Sequence, residues 1–472
     1  MPGSSIPFRP EVPFAPAKGL EGPAGPRRAA SAMFPDLRIT LAPERLEEGA
    51  PEERAAFGLL SVITAEASLT EGFDHHVRAL RAGPLVSGYH AAEWLAWNWW
   101  RLRWEPRSRA PDWSFAHRMS AIGNGYDWPN LTIQSDGVRT VLLSRPSAQP
   151  DAKPFRYFGA HPVVRPSGDW DQAVDAFVPQ ALGRLRDAGI AGTNLDRIWS
   201  DVLADRADPA LAELRRLEAM LGRDPDAVDD GVVEGLIADA EHLGRPAVGE
   251  IAANSAAAGG RVGAPLTAAE FHALARDRGH DAAPADAVAL NVGRVLPRGA
   301  EVPARRLGAA VARALRDQQR LGHAPIGDAQ LAAMAGTRVE TLTDLASGGA
   351  DLSFALDGRA SRLVLRSRWH IGRRFDLARL LGDRILGEAG ALLPATRAYT
   401  YRQKAQRAFA AELLSPFEAV DAMLAGDPDD EERKLVVAEH FDVSPLAIET
   451  QLIDQGRLRR GDPEQDCGVE AP

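Results

Sequence analysis

The side chains best placed to do chemistry lie in residues 373–386, Arg-Arg-Phe-Asp-Leu-Ala-Arg-Leu-Leu-Gly-Asp-Arg-Ile-Leu. Phe375, Leu377, Ala378, Leu381, Ile385 and Leu386 recur at helical spacing, with Asp376, Arg379, Asp383 and Arg384 at the polar positions, so the stretch reads as an amphipathic helix. Arg379 and Asp383 are four residues apart and share a helix face. As an exposed pair they would contribute about 0.2–0.5 kcal/mol. As the wall of a cleft, joined by Arg402 and Lys404, they would instead form a pocket suited to an anionic or peptide ligand. Neither reading gives a metal site, because arginine offers only donors and keeps its charge. Other candidates are scattered. His75 and His76 are adjacent, so on a helix they point about 100° apart. His272 and His280 have no histidine or carboxylate midway on their shared face. His370, beside Trp369, reads as a capping or packing residue.

Residues 374–378, Arg-Phe-Asp-Leu-Ala, resemble the Arg-Phe-x-Leu-Ala lead of the ImmA/IrrE family of zinc-dependent metallo-endopeptidases, where it runs into His-Glu-x-x-His. Residues 409–416 are similar to that family's Phe-Ala-x-Glu-Leu-Leu-x-Pro helix. An upstream lead-in from Gly308 through Pro325, Ile326 and Asp328 to Gly336 resembles it too, as does a closing segment with Phe441, Val443, Ser444, Ile448 and Leu452. The resemblance implies a zincin-like α+β domain working in stress, prophage or toxin–antitoxin settings. Its catalytic positions are changed. The two histidine positions hold Arg379 and Asp383, and the glutamate position holds Leu380. Residues 402–408, where the acidic third ligand falls, contain no Asp or Glu. Zinc needs imidazole or anionic ligands, and the attacking water needs a carboxylate base. The resemblance therefore implies a pseudopeptidase without zinc, a binding or regulatory protein whose partner is a protein or a small anionic ligand. Two alternatives stand beside it: an active peptidase with a zinc site rebuilt from His370, Asp376, Asp383 and Glu412, and a DNA-binding regulator.

Positioning such a helix takes much of the chain. At 472 residues the expectation is two folded units with tails. Residues 1–56, rich in Pro, Gly and Ala, read as a flexible tail from which Ile39 to Leu41 can add an edge strand. Residues 57–258 form a tryptophan-rich domain, 265–458 the family-like domain and 459–472 a polar tail, with a linker at Gly259-Gly260. The expected class is α+β, mostly helical.

Seven of the ten tryptophans fall between Trp94 and Trp128. Residues 90–104 read as one helix, apolar on nearly every side, which places Trp97 in the core of its domain. Arg101, Arg103, Arg107 and Arg109 offer the competing reading of a base-stacking surface. Residues 131–133 and 141–143 flank an Asp136-Gly137 turn as a β-hairpin, with 155–164 as a third strand. Helices follow at 169–188, 195–204, 209–221 and 232–243, and Thr267 with Glu270 forms a capping box. Residues 352–356 and 363–365 read as strands leading into the 373–386 helix.

The net charge is −10, with a pI near 5.7. That balance argues against a dominant phosphate-binding surface and leaves room for a local basic patch. Residues 438–458 have helix-turn-helix form with Ser444 as a cap, yet 445–456 contain no Lys or Arg. Nucleic acid is thus an unlikely partner. Cys467 is the only cysteine, so no intrachain disulfide and no cysteine-based zinc cage can form. No apolar run is long enough to span a bilayer and the first residues lack an apolar signal core; the expected compartment is the cytoplasm.

Overall fold

The computed structural model describes residues 36–458 apart from 111, 149–152, 160–161, 229, 258–263, 296–301 and 388–389. The Gly259-Gly260 linker, Cys467 and the polar tail lie outside the described residues. The architecture is α+β, about 52% helical, with small antiparallel sheets. No helix among the described residues is long and apolar enough to cross a membrane.

Structure begins within the stretch expected as a tail. Strand β1 (Leu37–Pro43) pairs antiparallel with β2 (Phe57–Thr64), from Leu37 opposite Thr64 to Pro43 opposite Gly58, and β2 pairs with β3 (Leu85–Ser87). Leu37, Ile39 and Leu41 alternate inward and are buried, the period-2 pattern of a half-buried strand. A short helix, Pro51–Ala55, follows. Residues 37–56 are therefore part of the folded unit, because this alternation has a sheet to cover.

The tryptophan-rich stretch is two helices, α1 (Gly88–Trp97) and α2 (Trp99–Trp104), parted at Asn98, whose Nδ2 donates to the Trp94 carbonyl at 2.9 Å. Ser87 caps α1 by accepting from His90 N at 3.4 Å. Ala91, Ala92, Leu95 and Ala96 of α1 are buried, and the helix packs on β2, α3 (Ser167–Asp187) and α4 (Asn194–Ala207). Trp99, Trp100, Trp128, Trp170 and Trp199 join this core. Trp97 does not: it is 53% exposed, which corrects its expected place. Ala91, Ala92, Leu95 and Ala96 take the buried side of α1, so Trp97 on the opposite face turns outward.

The hairpin forms as expected from β4 (Leu131–Ser135) and β5 (Arg139–Ser144), with Gly137 in the left-handed region at φ 93°. Its third strand is β6 (Val163–Pro166); Phe155–Tyr157 pairs instead with Gly72–Asp74 in another sheet. Helices α5 (Pro209–Met220), α6 (Asp230–Leu243) and α7 (Arg245–Ala257) follow, and then α8 (Ala268–Arg278), opened by the Thr267–Glu270 capping box.

In the second half, β7 (Ser353–Leu356) lies between β8 (Arg362–Val364) and β9 (Leu392–Ala395), with His280–Asp281 outside β8. The core beneath this sheet crosses the expected domain boundary. Leu217, Val233 and Ile251, from α5, α6 and α7, cluster with Phe271, Phe354 and Val364. Helix α9 (Ala304–Gln318) packs against α11 (Tyr401–Leu414), which packs in turn on α10 (His370–Leu386). Gly308 lets α9 approach closely: a Cβ there would stand 2.1 Å from the Ala405 carbonyl oxygen.

Candidate functional site: the buried charges of helix α10

Helix α10 covers the expected amphipathic stretch, but its polar positions are not solvated. Arg373, Arg374, Asp376, Arg379 and Asp383 are all buried, Arg379 at 4% and Asp383 at 1% exposure. Burial of charge is costly unless each group finds partners, so the partners decide what the helix can do.

Arg379 and Asp383 do not pair with each other. Arg379 Nη2 donates to the Thr396 carbonyl at 2.7 Å, to Gln403 Oε1 at 2.5 Å and to Gln406 Oε1 at 3.4 Å. Both amides are turned that way because their nitrogens donate to the Pro394 carbonyl at 3.0 and 3.1 Å. Asp383 takes a bidentate fork from Arg402, Nε to Oδ1 at 2.7 Å and Nη2 to Oδ2 at 2.6 Å. Leu380 is core, at 2% exposure. Gly382 seats the Phe409 ring, whose Cδ1 would stand 2.5 Å from a Cβ. Burial, then the nearby Arg407, pushes the Arg379 guanidinium down to about 9, so it remains a cation at neutral pH.

Lys404 reaches across to the other half of the chain, where its Nζ meets Asp136 Oδ2 at 2.8 Å. Burial pushes its ammonium down. Tyr401 N donates to the Asp136 carbonyl at 2.9 Å, Thr400 Oγ1 to Glu250 Oε2 at 2.8 Å, and Arg397 N to Asn254 Oδ1 at 3.0 Å. The face expected to line a ligand pocket is thus an internal junction. Arg379, Asp383, Arg402 and Lys404 are each engaged by protein groups.

This donor set does not fit zinc. A guanidinium stands at one ligand position, a leucine at the base position, and the single carboxylate is held by Arg402. Nor does the rebuilt set come together. His370 and Asp383 are thirteen residues apart on one helix, about 20 Å along its axis. Asp376 accepts from Ser353 Oγ at 2.7 Å, and Glu412 pairs with Arg313 at 3.3 Å. These four residues cannot share an ion.

His370 has other partners that the sequence did not suggest. Its Nε2 lies 2.7 Å from Asp328 Oδ2 and its Nδ1 lies 3.5 Å from Asp442 Oδ2. One ligand atom from each residue falls within 4.8 Å of the others. The space between is not free for a cation: Arg374 bonds Asp328 and lies 3.2 Å from Asp442 Oδ2, while also donating to the Ile326 carbonyl at 2.7 Å. Burial raises the Asp328 carboxyl, but His370 and Arg374 outweigh it and hold it below the usual range. The cluster ties the start of α10 to the turn between α12 (Glu431–Phe441) and α13 (Pro445–Asp454). Ser444 caps α13 at 3.2 Å, and Gln451 points inward to the Ser415 carbonyl at 3.0 Å.

A Ser–His–Asp grouping at Ser347, His280 and Asp344 also lacks relay geometry. Ser347 Oγ at 3.0 Å and Asp344 Oδ2 at 3.6 Å both approach the same ring nitrogen, Nε2, so no aspartate orients the imidazole from its far side. Burial and Arg373 lower the His280 pKa. His75, His76 and His272 lie outside all of these clusters. One cavity of about 330 Å³ opens beside α1 and one of about 150 Å³ beside His280 and Thr341. Comparison with protein-family models, with curated proteins and with solved structures finds no match to this chain.

Proposed function

We propose that this chain is a non-catalytic relative of the ImmA/IrrE peptidases, a binding or regulatory protein in which the former catalytic face has become a structural junction. One observation carries the reading: the positions that would hold zinc are wired to α11, Arg379 to Gln403 and Gln406, and Asp383 to Arg402. Those partners come from residues 402–408, the window where the resemblance implies a third ligand, so charge-neutral and cationic groups now connect the elements an ion would bridge. A guanidinium held by carbonyl oxygens supplies the cation of such a junction without offering a Lewis acid or a water to activate. With Arg402 and Lys404 engaged within the protein, this face keeps no cation for a small anion, and the partner of this reading is a protein bound at another surface of the chain.

The test is elemental analysis of untagged full-length protein, together with proteolysis assays in the presence and absence of a chelator. The expected result is substoichiometric zinc and no chelator-sensitive cleavage. Stoichiometric zinc with cleavage that a chelator abolishes and zinc restores would overturn the reading.

A further inference from the structure

Four side chains on the outward face of α1, His90, Glu93, Trp94 and Trp97, stand at helical spacings of three, four and seven. They wall the cavity of about 330 Å³, which Asn124 and Asn194 complete from two other segments. Trp94 is fixed there, its Nε1 donating to the Phe115 carbonyl at 3.0 Å, whereas the Trp97 indole is more than half exposed. An exposed tryptophan face at the mouth of a mainly apolar cavity can receive a partner with an apolar face of its own.

The polar groups around it are partly committed. Glu93 Oε1 accepts from Asn194 Nδ2 at 2.8 Å and from Tyr89 Oη at 3.2 Å, which orients the carboxylate. Its Oε2 lies 3.9 Å from His90 Nδ1, beyond hydrogen-bond reach, and has no hydrogen bond among the described residues. Asn124 is held in the left-handed region at φ 57°, between Gly123 and Gly125, and its amide has no hydrogen bond among the described residues. The cavity thus presents an indole face, a preoriented acceptor and an uncommitted amide.

Charge narrows the ligand class. His90 is bonded to Glu53 at 3.0 Å and faces Glu93, and Arg197 bonds Asn194. An anion would meet the Glu93 carboxylate, and a cation would meet Arg197, which is bonded to the lining residue Asn194. A neutral ligand with vicinal hydroxyls fits: ring C–H groups pack on the indole, while each hydroxyl both donates to a carboxylate oxygen and accepts from an amide.

We propose that this cavity binds a neutral pyranose, with Trp97 as stacking platform and Glu93 and Asn124 as hydroxyl partners. The inference does not rest on the pseudopeptidase reading. Its test is calorimetric and tryptophan-fluorescence titration of full-length protein with maltose, cellobiose, lactose and N,N′-diacetylchitobiose, and with tetramethylammonium as a cationic control. The expected result is saturable binding of at least one disaccharide with Kd of about 1 mM or tighter. Trp97→Ala and Glu93→Gln should each weaken it about tenfold or more while leaving the far-ultraviolet spectrum unchanged, a factor of ten corresponding to about 1.4 kcal/mol. Binding of tetramethylammonium alone, no binding across the panel, or sugar affinity unchanged in Trp97→Ala would overturn the proposal.

Discussion

Helices α1 and α10 invert each other's expected roles. α10 carries the residues whose spacing suggests chemistry, and the structure surrounds them with partners: Arg379 by carbonyl and amide oxygens, Asp383 by Arg402. α1 carries the residues whose apolarity suggests core, and it leaves Trp97 and one oxygen of Glu93 facing an open cavity. The difference teaches that chemical potential lies in unsatisfied groups rather than in charged ones. A buried charge persists only when the fold has already answered it, whereas a half-exposed indole is tolerated without an answer.

That comparison can be broken at α10 first, where the largest effects are expected. Asp383→Ala removes the partner of Arg402 and should cost about 3–5 kcal/mol in urea unfolding, as loss of one member of a buried pair does. Arg379→Met should cost less, about 1–3 kcal/mol, because the Thr396 carbonyl and Gln403 Oε1 keep donors in Arg407 and Thr396 N while Gln406 Oε1 is left without one among the described residues. If Asp383→Ala unfolds at wild-type denaturant concentration, the junction is not the structural element argued for it.

The tryptophans sharpen the same contrast by residue. Trp170, at 1% exposure, should cost about 3–5 kcal/mol on truncation to alanine. Trp97→Ala should cost roughly half as much, about 1–2 kcal/mol, since about half of its surface stays in water. Equal losses for the two would place Trp97 in the core after all.

Restoring α10 by Arg379→His, Leu380→Glu and Asp383→His should give at best weak zinc binding by metal titration, because residues 402–408 still supply no acidic ligand and Arg402 would face the ion. Tight stoichiometric binding would mean that the junction opens more readily than its hydrogen bonds suggest.

The smallest effect concerns pH beside α1. Glu93 and Glu53 raise the His90 pKa above 6.5, against the opposing effect of its burial. A raised folded-state pKa stabilises the protein fully below the unfolded value, and this contribution is lost as pH rises through the folded value. The wild type should therefore exceed His90→Gln in melting temperature by more at pH 5 than at pH 8. A gap that widens with rising pH would reverse the assignment.

The sequence alone determined the features that depend on near neighbours. The helical period around Arg379, the Asp136-Gly137 hairpin and the Thr267 capping box form where local pattern places them. That Arg379 and Leu380 cannot ligate zinc is likewise a matter of residue type. Tertiary structure decided the rest, because the deciding contacts are distant in the chain. Arg402 lies nineteen residues from Asp383, and Asp136 lies 268 residues from Lys404. Whether α10 met water or a covering helix was not written in its own period. A helix apolar on nearly every side likewise holds no local signal for its outward face; burial of Ala91, Ala92, Leu95 and Ala96 settled that Trp97 would point to solvent. Phe155–Tyr157 joined a different sheet from Val163–Pro166 for the same reason, since strand propensity specifies an extended backbone and only the available edges choose its partner.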